Sequence, residues 1–295
     1  MSTPVIDVRN LTKDYGKGRG VFDVSFRMEP GEVFGFLGSN GAGKTVTMRH
    51  LMGFIRPQKG TASVLGLDCF NQRAQIQGHL GYLPGEIAIA DDMTGIAFLT
   101  FMAKMNGIRN LDYMHQLIER FQLDPKPKIR KMSKGTKQKV GLVCAFMGKP
   151  QVLLLDEPTS GLDPLMQRAF FQILRERNQA GVTVFLSSHV LSEIQRNCTR
   201  AAIIRQGRLI ACDSVEGLAQ AGARRVTVHG QADVSGLSGV RDLQQTGEGV
   251  SFLYSGDMNA LLSVLAQGRI RDLSLTEPDL EEVFLHYYEE RGVDA

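Results

Sequence analysis

The chain has 295 residues, 43% of them hydrophobic, with a formal net charge of +3 and four cysteines. That length supports one large domain and a small one; so small a charge excess does not by itself argue for nucleic acid, and no apolar run reaches the ~18–20 residues that a membrane helix needs. The N-terminus lacks a basic and then apolar secretory signal, so the chain is expected to stay in the cytosol, with Cys69, Cys144, Cys198 and Cys212 as small buried side chains rather than disulfides or metal ligands.

Residues 5–8 and 21–26 alternate apolar and polar side chains, which predicts two antiparallel strands. The run Glu32-Val33-Phe34-Gly35-Phe36-Leu37 reads as a buried strand. It leads into Gly38-Ser39-Asn40-Gly41-Ala42-Gly43-Lys44-Thr45, which fits G-x-x-x-x-G-K-[ST], and then into a helical stretch over 44–53. Strand, loop and helix in that order predict a phosphate-binding loop. Its glycines let backbone N–H groups turn toward phosphates, and the helix N-terminus adds partial positive charge. Lys44 is expected to neutralise the β and γ phosphates, and the Thr45 hydroxyl to hold Mg2+. A nucleoside triphosphate is therefore the expected ligand.

Residues 61–65 and 81–83 are short strand candidates, and 94–148 reads mostly helical. Phe98, Phe101, Met102 and Met105 recur there at helical spacing, and Leu111, Met114, Leu117, Ile118 and Phe121 form a second stripe; both read as core-packing faces. The apolar run 152–155 ends in Asp156, and a second run covers 182–186. A helix between them carries Met166, Phe170, Ile173 and Leu174 on one face and closes near Gly181. Residues 201–204 and 208–211, joined by Gln206-Gly207, predict a hairpin. The small polar segment 219–224 marks a boundary. Beyond it come strands at 225–229, 250–254 and 271–275, a helix at 258–267, and a final helix from Pro278 with Leu280, Val283, Phe284, Tyr287 and Tyr288 on one face.

Leu153-Leu154-Leu155-Asp156-Glu157 is a strand ending in two carboxylates. Downstream of a phosphate loop it fits a Walker B element, with Asp156 orienting the Mg2+ shell and Glu157 polarising the attacking water as general base. The longer run Asp156-Glu157-Pro158-Thr159-Ser160-Gly161-Leu162-Asp163 resembles the Walker B and D-loop of ATP-binding-cassette (ABC) ATPases. His189, after Leu186-Ser187-Ser188, matches the family's switch histidine. Met132-Ser133-Lys134-Gly135-Thr136-Lys137-Gln138-Lys139-Val140 stands where the family's signature belongs, and Tyr15, before Gly16, matches the aromatic that stacks on adenine. The resemblance runs over about residues 5–218, and the order of the motifs is more specific than any one of them.

The resemblance implies an α/β fold of the P-loop NTPase, ABC ATPase type. Its core sheet is mostly parallel, with an antiparallel β subdomain and a helical subdomain at about 94–148; the ATPase domain spans 1–218, and a small α+β domain spans 225–295. It implies ATP and Mg2+ as ligands, with Tyr15, Gly38, Ser39, Asn40, Gly41, Ala42, Gly43, Lys44, Thr45 and Val46 at the nucleotide, Thr45 and Asp156 at the metal, and Glu157 and His189 as catalytic residues. It further implies that two copies sandwich two ATP molecules. Ser133, Lys134, Gly135 and Thr136 of each copy then close on the opposite γ-phosphate, His189 bonds the γ-phosphate of its own copy, and Asp163 bridges the two. The chain departs from the family in three places. Lys134 and Thr136 replace a glycine and the glutamine of Leu-Ser-Gly-Gly-Gln, Val46 replaces a second hydroxyl residue, and Gly85 falls where the Q-loop glutamine belongs. Glu86, next to Gly85, is the candidate carboxylate to reach the Mg2+ shell instead.

Thr276-Glu277-Pro278-Asp279-Leu280-Glu281-Glu282-Val283-Phe284 resembles the tail of bacterial ATPases from exporters of drugs, antibiotics or lantibiotic-like peptides, and Gly81-Tyr82-Leu83-Pro84-Gly85-Glu86 resembles a subset of that branch. Those ATPases power a separate membrane permease, which places this chain on the cytoplasmic face of the membrane. The alternative is a non-transport ABC ATPase acting on nucleic acid or ribosomes. Against it, the interval between the phosphate loop and the signature is too short for the coiled coil of repair-type members, and there is one cassette where translation-type members usually carry two. The basic run Lys126, Lys128, Arg130, Lys131, Lys134, Lys137 and Lys139 has no interleaved aromatics for base stacking, so no nucleic acid is expected.

Overall fold

The computed structural model describes residues 3–87, 92–220 and 224–276. The helix expected from Pro278, and all of the exporter-like tail after Thr276, lie outside the described residues. The chain divides into two compact units, Met1–Cys212 and Asp213–Ala295.

In the first unit, β1 (Ile6–Asp14) and β2 (Gly20–Met28) pair antiparallel, and the alternation of β2 puts Val21, Val24, Phe26 and Met28 inside. β3 (Val33–Leu37) is buried at every position because it lies between two parallel neighbours and has no solvent face. It feeds α1 (Lys44–Leu51). β4 (Lys59–Val64) and the two-residue β5 (Leu67–Asp68) complete an antiparallel sheet in the order β2-β1-β4-β5. A short α2 (Arg73–Gln77), with Ile76 buried, leads to β6 (Leu80–Leu83).

The helical stretch comprises α3 (Gly95–Met105), α4 (Asp112–Arg120), a 3-10 turn (Ile129–Lys131) and α5 (Lys134–Met147). The stripe on α4 is core as expected, with Met114, Leu117 and Phe121 buried. The stripe on α3 is core only in part, with Phe98 and Met102 half-buried. α3 packs on α5 and buries Leu99 and Ala103, while Phe101 and Met105 are 49% and 70% exposed. Helical spacing marks one face without saying what it faces, and here the side of Gly95, Leu99 and Ala103 goes inward.

β7 (Val152–Asp156), α6 (Pro164–Gln179), β8 (Thr183–Ser188), α7 (Leu191–Asn197), β9 (Arg200–Arg205) and β10 (Arg208–Ser214) complete a six-stranded sheet ordered β10-β9-β3-β8-β7-β6. The pairs β6–β7, β7–β8, β8–β3 and β3–β9 are parallel. Gln206 and Gly207 join β9 to β10 with φ 47° and 78°, the left-handed pair that a two-residue hairpin turn requires. The core draws on both sheets and on α1. At its centre Phe26, Phe34, Phe36 and Phe185 pack with ring centroids 5.2–6.1 Å apart. Truncating one such ring typically costs about 3–5 kcal/mol.

The second unit contains α8 (Val215–Gln220), β11 (Arg224–Gln231), β12 (Val240–Thr246), β13 (Gly249–Tyr254), α9 (Met258–Leu265) and β14 (Arg269–Thr276). Its sheet, ordered β12-β13-β11-β14, is antiparallel at every pairing. Leu261 and Leu265 of α9 pack with Val226, Val228, Phe252 and Tyr254. β12 was not legible in the sequence because it is an edge strand of largely exposed polar residues with no apolar alternation.

Candidate active site

Parallel pairing brings the C-terminal ends of β3, β7 and β8 to one edge of the sheet, and the site is built from the loops that leave them. The loop after β3 turns through Gly41 (φ 81°) and Gly43 (φ 112°), conformations that an L side chain rarely adopts. No side chain caps α1, so the N–H groups of its first turn are available to an anion. A cavity of about 410 Å3 opens there. It is lined by Tyr15, Arg19 and Gly20, by Ser39, Asn40, Gly41, Gly43, Lys44, Thr45 and Val46, and by Gly85, Asp156 and Glu157.

Lys44 is 5% exposed. Its Nζ donates to the Gly38 and Ser39 carbonyls at 2.5 and 3.2 Å and lies 3.0 Å from Glu157 Oε1, an ion pair without hydrogen-bond angles. Asp156, 1% exposed, accepts at both oxygens: Thr45 Oγ1 donates to Oδ2 at 2.8 Å and Ser187 Oγ to Oδ1 at 2.5 Å. Burial first, and then the Asp156 charge, push the nearby Tyr82 phenol up to about 12. Glu157 has φ 51°, a left-handed conformation that costs a non-glycine residue on the order of 1–3 kcal/mol. Its N–H donates to both the carbonyl and the hydroxyl of Ser187, each at 3.2 Å, and its Oε2 lies 2.6 Å from His189 Nδ1. The carboxylate thus sits between a cation and an imidazole, at the rim of the phosphate loop.

Thr45 and Asp156 present hard oxygen donors side by side, the donor set that suits Mg2+. Gly85 keeps the flank of Asp156 open, since a Cβ there would come within 3.1 Å of Oδ2. The residues present therefore fit the metal. Glu86 is exposed and does not line the cavity; Tyr15 does, and is 47% exposed.

The signature residues form a second group. Ser133 Oγ caps α5, accepting from Thr136 N at 3.1 Å, and lies 2.9 Å from Thr136 Oγ1. Gly135 packs so closely on the Gly161 carbonyl that a Cβ would come within 2.4 Å of it. The Lys134 stem runs past Gly161, and Asp163 Oδ1 caps α6 by accepting from Leu165 N and Met166 N, both at 3.0 Å. None of Ser133, Lys134, Gly135, Thr136 or Asp163 lines the cavity of its own copy.

Four residues that sequence reasoning passed over take part. Arg19 and Gly20 line the cavity, on a turn closed by the bond from Tyr15 N to Arg19 O; the glycine-rich stretch Gly16-Lys17-Gly18-Arg19-Gly20 after an aromatic was the available signal. Ser187 holds Asp156, and Gln138 bonds the Glu157 and Pro158 carbonyls. Neither had a sequence signal, because each contact crosses between elements.

Residues 21–160 match the ABC transporter family model. The chain is 36% identical over 216 residues to the bacitracin transport ATP-binding protein of Bacillus licheniformis, covering 71% of this chain and 69% of that protein. It is 30% identical over 304 residues to the linearmycin resistance ATP-binding protein of Bacillus subtilis, covering 96% and 97% respectively. Among solved structures it is similar to an ATP-binding subunit of an ABC transporter, with a TM-score of 0.67 and 29% identity over 72% of this chain and 91% of that one.

Proposed function

The chain belongs to the ATP-binding proteins of ABC transporters, and from that premise we propose that it hydrolyses ATP to drive export through a separate membrane permease, two copies closing on two nucleotides. One observation carries the catalytic part. Lys44, Thr45, Asp156, Glu157 and His189 converge where a phosphate loop opens into a cavity. Tyr15 stacks on the adenine. The N–H groups of residues 39–45 and the Lys44 ammonium receive the phosphates. Thr45 and Asp156 would hold Mg2+, which would supply charge neutralisation for the phosphates. Glu157 takes a proton from the attacking water, while His189 orients its carboxylate and bonds the γ-phosphate. We assign residues 1–218 to the ATPase domain and 225–295 to an accessory domain; the compact units divide a little earlier, between Cys212 and Asp213.

The loop beside Asp156 is tested by a Mg2+ titration of turnover. Glu86→Ala is expected to leave the Mg2+ requirement unchanged, because Glu86 is exposed outside the cavity, whereas Gly85→Gln is expected to raise it by pressing a Cβ on Asp156. A raised requirement in Glu86→Ala would instead put its carboxylate in the metal shell through water.

Among the described residues no helix is long and apolar enough to cross a membrane. A permease would then hold the chain at the cytoplasmic face. The exposed apolar ridge of α3, Phe101 and Met105, is the surface we assign to it. The experiment is a pull-down from detergent-solubilised membranes with fractionation. Deleting the permease is expected to release the chain to the soluble fraction. Phe101→Asp with Met105→Asp is expected to abolish co-purification at unchanged basal ATPase activity. Membrane retention without the permease would point to direct lipid binding.

A further inference from the structure

Gln138 lies early in α5, outside the cavity, and is 2% exposed. Its Nε2 donates to two successive carbonyl oxygens, Glu157 O at 3.1 Å and Pro158 O at 2.9 Å. Those carbonyls flank the turn that carries the Glu157 carboxylate out of β7. A non-glycine residue keeps a φ of 51° only where its surroundings over-determine it. Here Ser187 holds the N–H side from β8, and Ser160 N and Gln138 hold the carbonyl side. The same helix begins at Ser133 and rests Gly135 on the Gly161 carbonyl. The signature helix therefore grips the 156–163 loop at two places, one beside Gly161 and one beside Glu157.

We infer that Gln138 is a positioning residue for hydrolysis. It joins α5 to the peptide that bears Glu157, so that seating the Ser133 loop on a nucleotide and aligning Glu157 with its water become one event. This rests on the ATPase reading above and on the role of Glu157 within it. Without the amide donor, two neighbouring carbonyls lose their shared partner, the left-handed turn relaxes, and the carboxylate leaves its place. Nucleotide binding, which uses other residues, stays.

The test uses the full chain and three readouts: equilibrium binding of a fluorescent ATP analogue, steady-state kcat and KM, and the pH profile of kcat. Gln138→Leu is expected to lower kcat ~10–100-fold with nucleotide affinity changed by less than ~2-fold, the split expected when only the chemical step is disturbed. Added to Glu157→Gln it is expected to cost nothing more, because both changes disable one function. Gln138→Glu is expected to regain activity relative to wild type as pH falls, since only a protonated carboxyl can donate to those carbonyls. The inference is overturned if Gln138→Leu keeps wild-type kcat, if it loses ATP binding in parallel with kcat, or if its effect adds to that of Glu157→Gln. Should Gln138→Leu not fold, the Gln138→Glu profile decides alone, and one parallel to wild type overturns the inference. A wild-type protein that binds ATP without hydrolysing it refutes the proposed function itself, and the inference falls with it.

Discussion

Glu157→Gln is expected to cut steady-state ATP hydrolysis by about 10²-fold or more while ATP binding persists, the range for loss of a positioned general base. Oε1 lies 3.0 Å from Lys44 Nζ and Oε2 lies 2.6 Å from His189 Nδ1, so the carboxylate is held on both oxygens. The amide keeps the size and most of the hydrogen bonding but cannot take a proton from water. It also removes a negative charge beside the phosphates, so nucleotide affinity is expected to hold or rise. Phosphate-release kinetics with parallel equilibrium binding measure both quantities. Turnover equal to wild type would refute Glu157 as the base, and parallel loss of binding would show that Glu157 holds the loop rather than the water.

Ser133→Arg is expected to bring turnover down to background through a different step. Ser133 caps α5 with the same oxygen that would face the partner's γ-phosphate, and it does not line its own cavity. Arginine removes the cap, which typically costs about 1 kcal/mol, and sets a bulky charge where the second copy must close. The closed state is best seen in the Glu157→Gln background, where ATP is not consumed. There, size-exclusion with light scattering is expected to show a dimer with ATP and a monomer without it. Ser133→Arg in the same background is expected to stay monomeric while still binding ATP. Dimers of equal strength with and without nucleotide would contradict an ATP-driven sandwich.

Much of the site is legible in the sequence, because its parts lie close along the chain. The phosphate loop needs glycines at fixed offsets, and Gly41 and Gly43 take the positive φ that only those offsets permit cheaply. The buried strands β3 and β7 announce themselves as apolar runs, and β8 by Val184, Phe185 and Leu186 at its centre, since a strand between parallel neighbours has no solvent face. The cap at Asp163 is local too, one oxygen meeting two N–H groups in the next turn, although its sequence reading is as a D-loop residue alone.

What the tertiary structure decided are the contacts that cross between elements. Ser187 on β8 reaches Asp156 on β7, Gln138 on α5 reaches the Glu157 and Pro158 carbonyls, and Gly85 clears the flank of Asp156. Each depends on strand order and helix packing, which no local spacing encodes. The α3 ridge shows the same limit, since periodicity established a face with Phe101 and Met105 on it, but only packing on α5 left those two side chains outward. Sequence alone thus determined the chemistry this chain carries, because chemistry resides in residue types at short spacing. The fold decided which of those residues meet, because parallel strands distant in sequence bring their ends to one edge.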